Sequence, residues 1–252
     1  MRTLLTKAFS SQIAYPGNFI GFIVVMAFSQ LITLLFLFTV YTYTDDINGW
    51  TFEKSAFVFY LAMIVVLTSE CFTSSIDTYF RTLAAGRLDP FLALPVRRVE
   101  LMVLRWSEPG YLIPVAALLL IWPAIDPRLD RPLLDWLAGC LALGVGVLAI
   151  GLLFALISLA TLLTQRHTPA DFMVAELSRM LFLPVGVYPG GIWRVLIGIG
   201  FPMLFSAGAA GAVLVEGSYV AAIALAAGTL LLALVHRGLE RVLLRRFSYP
   251  GS

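Results

Sequence analysis

Arg81-Thr-Leu-Ala-Ala-Gly86-Arg-Leu-Asp-Pro90-Phe-Leu-Ala-Leu-Pro95-Val-Arg-Arg98-Val-Glu100-Leu-Met-Val-Leu-Arg105 is the stretch whose reading organises this chain. It carries five arginines against two acids, Asp89 and Glu100, and lies between two apolar runs long enough to cross a bilayer. Gly86, Pro90 and Pro95 break it into short pieces, since proline fixes φ and removes a backbone donor. A plain polar connector would be shorter and less apolar. Leu88, Phe91, Leu92, Leu94 and Val96 predict instead a short amphipathic helix exposed to the cytosol. A membrane protein needs such a surface if something soluble must push on it.

The rest of the composition agrees with a membrane setting. The chain has 252 residues, is 60% hydrophobic and only 13% charged, with a mean hydropathy of +0.92. A water-soluble domain of this length could not hide so much apolar surface, so the bilayer is the solvent. The net charge of +2 matters less than where the charges sit. Cys71 and Cys140 both fall inside apolar runs, where they read as small packing residues and not as a disulfide framework. Residues 1–18 have neither an apolar core nor a small-residue cleavage site, so no cleavable signal is expected there.

A span needs about 20 mostly apolar residues. Runs at 19–43, 55–79, 106–125 and 133–163 meet that need, and the last run, 219–236, nearly does. A further region, 171–215, is split by Tyr188-Pro189-Gly190-Gly191. The expectation is therefore an all-α membrane protein of six transmembrane helices, one transmembrane domain over 1–252, with no internal repeat. Lys and Arg near the span ends set the orientation. Arg2, Lys7, the 81–105 arginines, Arg166 with His167, and Arg237, Arg241, Arg245 and Arg246 fall on one side if the topology alternates. Asp45, Asp46, Glu53, Lys54 and the 126–135 connection fall on the other. Both termini are expected in the cytosol.

Two segments do not fit a plain hairpin ladder. In 1–17, Leu4, Leu5, Ala8, Phe9, Gln12 and Ile13 recur at helical spacing, which predicts an interfacial N-terminal helix ended by Pro16 and Gly17. In 171–187, Glu176 and Arg179 would cost roughly 5–7 kcal/mol at mid-membrane while each Leu, Val or Phe returns only about 0.3–0.6. Three apart, the two can pair on one helix face. The 192–215 stretch is then either a true span or two short helices dipping in and out, bent near Phe201-Pro202. The dipping form gives an outer re-entrant hairpin at 188–217, and the alternative leaves 171–187 on the cytosolic surface.

Catalytic signatures are missing from the sequence. It has no phosphate-cradling loop ending in Gly-Lys-Ser or Gly-Lys-Thr, no His-Glu-x-x-His pair and no Gly-x-Ser-x-Gly turn. His167 and His236 read as dipole partners at helix ends, not as proton relays or metal ligands. No catalytic, cofactor-binding or metal-ligating residue is assigned. Acids inside spans are functional candidates by default. Glu70 and Asp77 share one face of the second span, and Arg81 follows Asp77 by four. They read either as structural pairing or as part of a substrate path or gate, and Glu176 and Arg179 carry the same two readings.

Six spans, cytosolic termini, an interfacial N-terminal helix, a structured loop after the second span and a broken region before the last form a set. The chain resembles the membrane subunits of type-2 ABC exporters. More narrowly, it is similar to a permease family with the loop pattern Gly-x-Leu-Asp-x-x-Leu-x-x-Pro, present here from Gly86 through Leu88, Asp89 and Leu92 to Pro95. A second matching stretch runs from Pro184 to Pro189, with Arg194 and Phe201-Pro202 after it. The sequence departs from the pattern after Pro202, where Met-Leu-Phe-Ser-Ala-Gly-Ala-Ala stands and a further proline is expected.

The resemblance implies the type-2 exporter fold. It also implies that 81–105 is a coupling loop, its Gly86, Arg87, Leu88, Asp89, Pro90, Phe91, Leu92, Leu94 and Pro95 seated in a cleft of an ATPase. Two ABC ATPase subunits per complex would hold ATP and Mg, with no cofactor on this chain. The other membrane partner would be a second copy or a related six-span permease, in the plasma membrane of a prokaryote. Nothing points to nucleic acid. Few ionisable groups lie within the spans, so the expected cargo is amphiphilic, lipid-like or drug-like. An ion-coupled secondary carrier is the competing class, but it expects broken helices in both halves, and the sequence breaks only one. A non-transporting membrane scaffold is the third.

Overall fold

The apolar runs become helices, several of them starting beside proline or glycine, as after Pro109-Gly110, Pro132 and Gly190-Gly191. The computed structural model describes residues 16–85, 98–125, 131–164, 180–182, 186, 188 and 190–246. In chain order these form α1 (Pro16–Thr42), β1 (Asp46–Ile47), β2 (Trp50–Thr51), α2 (Phe52–Ala84), α3 (Arg98–Leu104), α4 (Leu112–Ile125) and α5 (Leu133–Thr164). After them come α6 (Ile192–Gly200), α7 (Ser206–Gly211) and α8 (Val220–Arg246). Among the described residues four helices are long and apolar enough to cross a membrane, and up to five do so if the bent pair Ile192–Gly200 and Pro202–Glu216 counts as one span.

The third apolar run gives a shorter helix than its sequence suggests. Its apolar helical part covers Pro109–Trp122, below the length of about 20 residues that spans a bilayer unaided. Trp106, Ser107 and Glu108 leave the run to form a turn against α2. α1 is described from Pro16 onward, and the interfacial helix expected before it, ended by Pro16 and Gly17, is not tested by the described residues. Residues 1–15 lie outside the described residues.

α2 is the axis of the bundle. Two thirds of its apolar window (67%) is buried inside the protein, against 39% for α5, 33% for α8 and 0% for α1. It packs chiefly on α5, which in turn packs on α7 and α8. An aromatic cluster ties α4 into this core. Trp122 meets Phe57, Tyr60 and Trp136 at 5.7, 5.5 and 5.5 Å between ring centroids, and the Tyr60 hydroxyl donates to the Leu118 carbonyl.

The second half of the split region folds back sharply. α6 and Pro202–Glu216 are bent by 117°. Pro202 cannot donate an N–H and disfavours helical backbone at the residue before it; Phe201 accordingly takes φ −132°, ψ 66°. Beyond the bend every residue from Pro202 to Leu214 is buried. Small side chains make that possible: a Cβ on Gly146 of α5 would collide with Ser206, and one on Gly211 would lie 2.5 Å from Val58 Cγ2. The arm ends in a π-helical turn and a left-handed Gly217 (φ 68°). There Ser218 N–H bonds to Ala212 O at 3.1 Å, one residue wider than the six-to-one closure of an α-helical C-terminus because the last turn is π-helical.

A short hairpin covers one end of this core. Asn48 (φ 52°) and Gly49 (φ 82°) both have positive φ, the two-residue connection whose twist matches paired strands. Ile47 pairs with Trp50. Trp50 is 2% exposed, with its ring against Gly186 and near Gly211. Asn48 Nδ2 donates to Gly186 O at 2.8 Å, and Tyr41 Oη donates to Trp50 O at 2.9 Å. At this same end Arg131 donates to Val215 O and the Tyr219 hydroxyl to Asp135. The bond to Asp135 holds the Tyr219 phenol above its ordinary pKa.

Candidate functional site

Away from the hairpin, α2 turns polar. Ser69-Glu70-Cys71-Phe72-Thr73-Ser74-Ser75-Ile76-Asp77-Thr78 would be expensive to bury unless each polar group were bonded. Ser69 Oγ returns to Val65 O at 2.8 Å, and Thr73 Oγ1 donates to Glu70 Oε2 at 3.3 Å. Ser74 Oγ donates to Trp106 O at 3.2 Å, while Trp106 N–H donates to Ser75 Oγ at 3.1 Å. Glu108 N–H adds a bond to Cys71 O at 2.9 Å.

These bonds clip the turn between α3 and α4 onto the middle of α2. The turn needs them, because helix ends leave backbone groups that must find partners when buried. The serines of α2 and the carbonyl of Cys71 supply those partners. Arg105 stacks on Trp106 at 5.5 Å from the ring centroid.

The two acids of α2 have different surroundings. Asp77 is buried and accepts from Arg81 Nε at 2.5 Å, one turn on. Glu70 is half-buried and faces the clipped turn, where it interacts electrostatically with Tyr111 beside Glu108.

Beside the polar stretch lies a cavity of about 700 Å³ between α2, α3, α5 and α8. Phe72 and Ile76, Met102, Leu148 and Leu152 supply apolar wall, and His236 closes one side; Glu70 and Asp77 are not among its lining residues. His236 corrects the sequence expectation of a helix-end dipole partner. α8 continues to Arg246, so His236 sits within the helix, 7% exposed, its ring edge-on to Phe80 at 6.5 Å. Its Nε2 is buried and has no partner among the described residues.

Gly86, Arg87, Leu88, Asp89, Pro90, Phe91, Leu92, Leu94 and Pro95, together with Glu176, Arg179 and His167, fall outside the described residues. Helices enter the 81–105 stretch from both ends: α2 runs to Ala84 and α3 begins at Arg98. The clipped turn escaped the sequence reading because serines and a charge within apolar runs name no partner. The Asn48-Gly49 dipeptide was a readable hairpin signal. Among the described residues no three His, Cys, Asp or Glu side chains gather as a metal site. Cys71 and Cys140 are free thiols.

Comparison with known proteins supplies the family. A model described as "ABC-2 family transporter protein" matches residues 27–248. No curated protein and no solved structure matches the chain. The chain belongs to the ABC-2 transporter family, a multi-pass membrane component and not itself an ATPase.

Proposed function

We propose that this ABC-2 family chain is the permease subunit of an ATP-driven exporter that moves an amphiphilic, lipid-like or drug-like compound. Permeases of this family partner with ABC ATPases. Two such subunits would dock on 86–95 and hold the ATP and Mg, with no cofactor on this chain. The membrane part would be completed by a second copy or a related six-span permease. Six spans with both termini in the cytosol of a prokaryotic cell complete the reading, with 192–215 dipping as a re-entrant hairpin.

One observation carries it. The most buried of the four long apolar helices, α2, leads to the proposed docking segment, and the chain returns through α3 into a turn bonded back onto α2 at Cys71, Ser74 and Ser75. A push on 86–97 would reach the core through two strokes of chain that are tied together. A loop that served only to obey the charge rule for orientation needs no such tie.

Leu92→Asp and Leu88→Asp test the docking assignment. Each should abolish most co-purification of the ATPase, normalised to permease recovered, because burying a charge in an apolar cleft costs several kcal/mol. Arg98→Ala, a rim charge, should matter much less. Full retention by both leucine variants would overturn the assignment. Orientation is tested separately: cysteines at Asp46 and Asp130 should react with an impermeant thiol reagent in intact cells lacking Cys71 and Cys140. Cysteines at Arg97 and Ser248 should react only after the cells are opened. A cysteine at Gly190 should label from outside if 171–187 crosses the membrane.

A further inference from the structure

The cavity between α2, α3, α5 and α8 has a two-part character. Its walls are mainly apolar, with Ser69, Tyr79 and His236 among them, and Arg237 and Glu240 of α8 stand together at one edge. They lie three residues apart and form no ion pair with each other: Asp77–Arg81 is the pairing seen among the described residues. Arg237 is exposed and Glu240 half-exposed, so both charges remain available to a ligand. The space itself is built by small residues. A Cβ placed on Gly144 would meet no atom within 4 Å, and one on Gly151 only Ile76 Cδ1 at 3.8 Å.

We infer that this cavity binds one acyl chain of a zwitterionic phospholipid, with the phosphate at Arg237 and the ammonium at Glu240. The chain chemistry follows from the walls: a polar ligand would leave its groups unpaired against Phe72, Ile76 and Leu152, which is costly. The headgroup chemistry follows from the edge, which offers one positive and one negative side chain. The volume lies within the range of about 300–1,000 Å³ that encloses small-molecule ligands. The site lies within one subunit and needs neither an ATPase nor a second permease. It therefore stands apart from the transport reading.

The test uses the full-length chain alone, in vesicles of phosphatidylethanolamine with a minor share of phosphatidylglycerol. A trace of phosphatidylethanolamine carrying a photoactivatable group on its acyl chain is the probe. After illumination and digestion, adducts should concentrate on peptides holding Phe72, Met102 and Leu152. They should exceed those on the exposed face of α1 at Val24, Phe28 and Phe36, which reports passing bilayer lipid. Gly144→Leu grows into the open cavity, and cavity labelling should fall about tenfold or more, since displacing even two buried methylenes costs that much. Val147→Phe is the second filling variant, for the case where the first does not elute as a single species. Labelling of α1 should not change in either.

Arg237→Ala with Glu240→Gln should lower cavity labelling roughly two- to fivefold, the range of exposed charge contacts. Lysophosphatidylethanolamine should compete, and inorganic phosphate should not. Cavity adducts no denser than those on α1, or unmoved by both filling variants, would mean that the chain's own segments or passing lipid account for the space, and the inference fails. Unchanged labelling in the double charge variant overturns the headgroup assignment.

Discussion

α1 and the arm from 202 to 214 are both apolar, and the molecule uses them in opposite ways. α1 has a mean hydropathy of 2.4 over its candidate span and none of that window buried. The arm is buried at every position from Pro202 to Leu214. α1 shows Val24, Val25, Phe28 and Phe36 to its surroundings, and its hydroxyls bond inward, Thr33 to Ser29 O at 3.1 Å and Thr39 to Leu35 O at 2.8 Å. The arm instead runs Ser-Ala-Gly-Ala-Ala-Gly through α7. Hydrophobicity sends both into the membrane; small side chains decide which one the protein encloses, because lipid tails are as apolar as a protein core and only close packing separates the two.

The largest effect should come from the residue that wedges the arm in place. Trp50→Ala removes a nearly fully buried indole from against Gly186 and Gly211. It should cost about 3–5 kcal/mol, as for large-to-small changes in tight cores, read as a drop in the thermal midpoint of the detergent-purified chain. If that midpoint stays put, the hairpin is an ornament and the arm is held by the helices around it, α2, α5 and α8.

Next come the glycines that let the arm approach. Gly211→Val and Gly146→Val each place new atoms against Val58 or Ser206, and each should destabilise by about 1–3 kcal/mol. The same measurement on Gly21→Val of α1, where an added Cβ meets nothing, should give no loss. Equal losses at all three positions would erase the contrast between the two regions.

A smaller effect is expected at the ion pair of α2. Arg81 is 43% exposed at its side chain but its partner Asp77 is buried, so Arg81→Gln should cost about 1–2 kcal/mol, the lower part of the penalty for a buried group that loses a partner. Glu70→Gln separates structure from transport: reduced stimulation of the ATPase at normal abundance supports a path or gate, and reduced abundance supports a packing role. Smallest of all, Phe36→Ala on α1 should shift stability by less than about 0.5 kcal/mol. A larger loss there would show that this face is covered by protein in the purified particle.

Much of the fold was legible because its signals are local. Apolar runs gave α1 and α5 nearly to their described ends, the body of α2 and the start of α8, and Pro202 gave the bend. α4 came out shorter because the contest for Trp106–Glu108 was settled by hydroxyls on α2, 31 and 32 residues away in sequence. His236 was misread because the basic run after it looked like a helix end, whereas α8 carries on through those arginines to Arg246. Charge marks where a chain leaves lipid and says nothing about where a helix stops.

By itself, then, the sequence determined that this chain lives in a bilayer, where its long apolar helices run, and where the region before the last of them breaks. The tertiary structure alone decided that α2 lies at the centre, that the arm from 202 to 214 is enclosed while α1 is not, that a turn is clipped to α2, and that a cavity opens beside His236. The physical reason is one of range. Hydropathy, proline and glycine act within a few residues, whereas burial inside a membrane protein rests on shape complementarity between surfaces far apart in the chain.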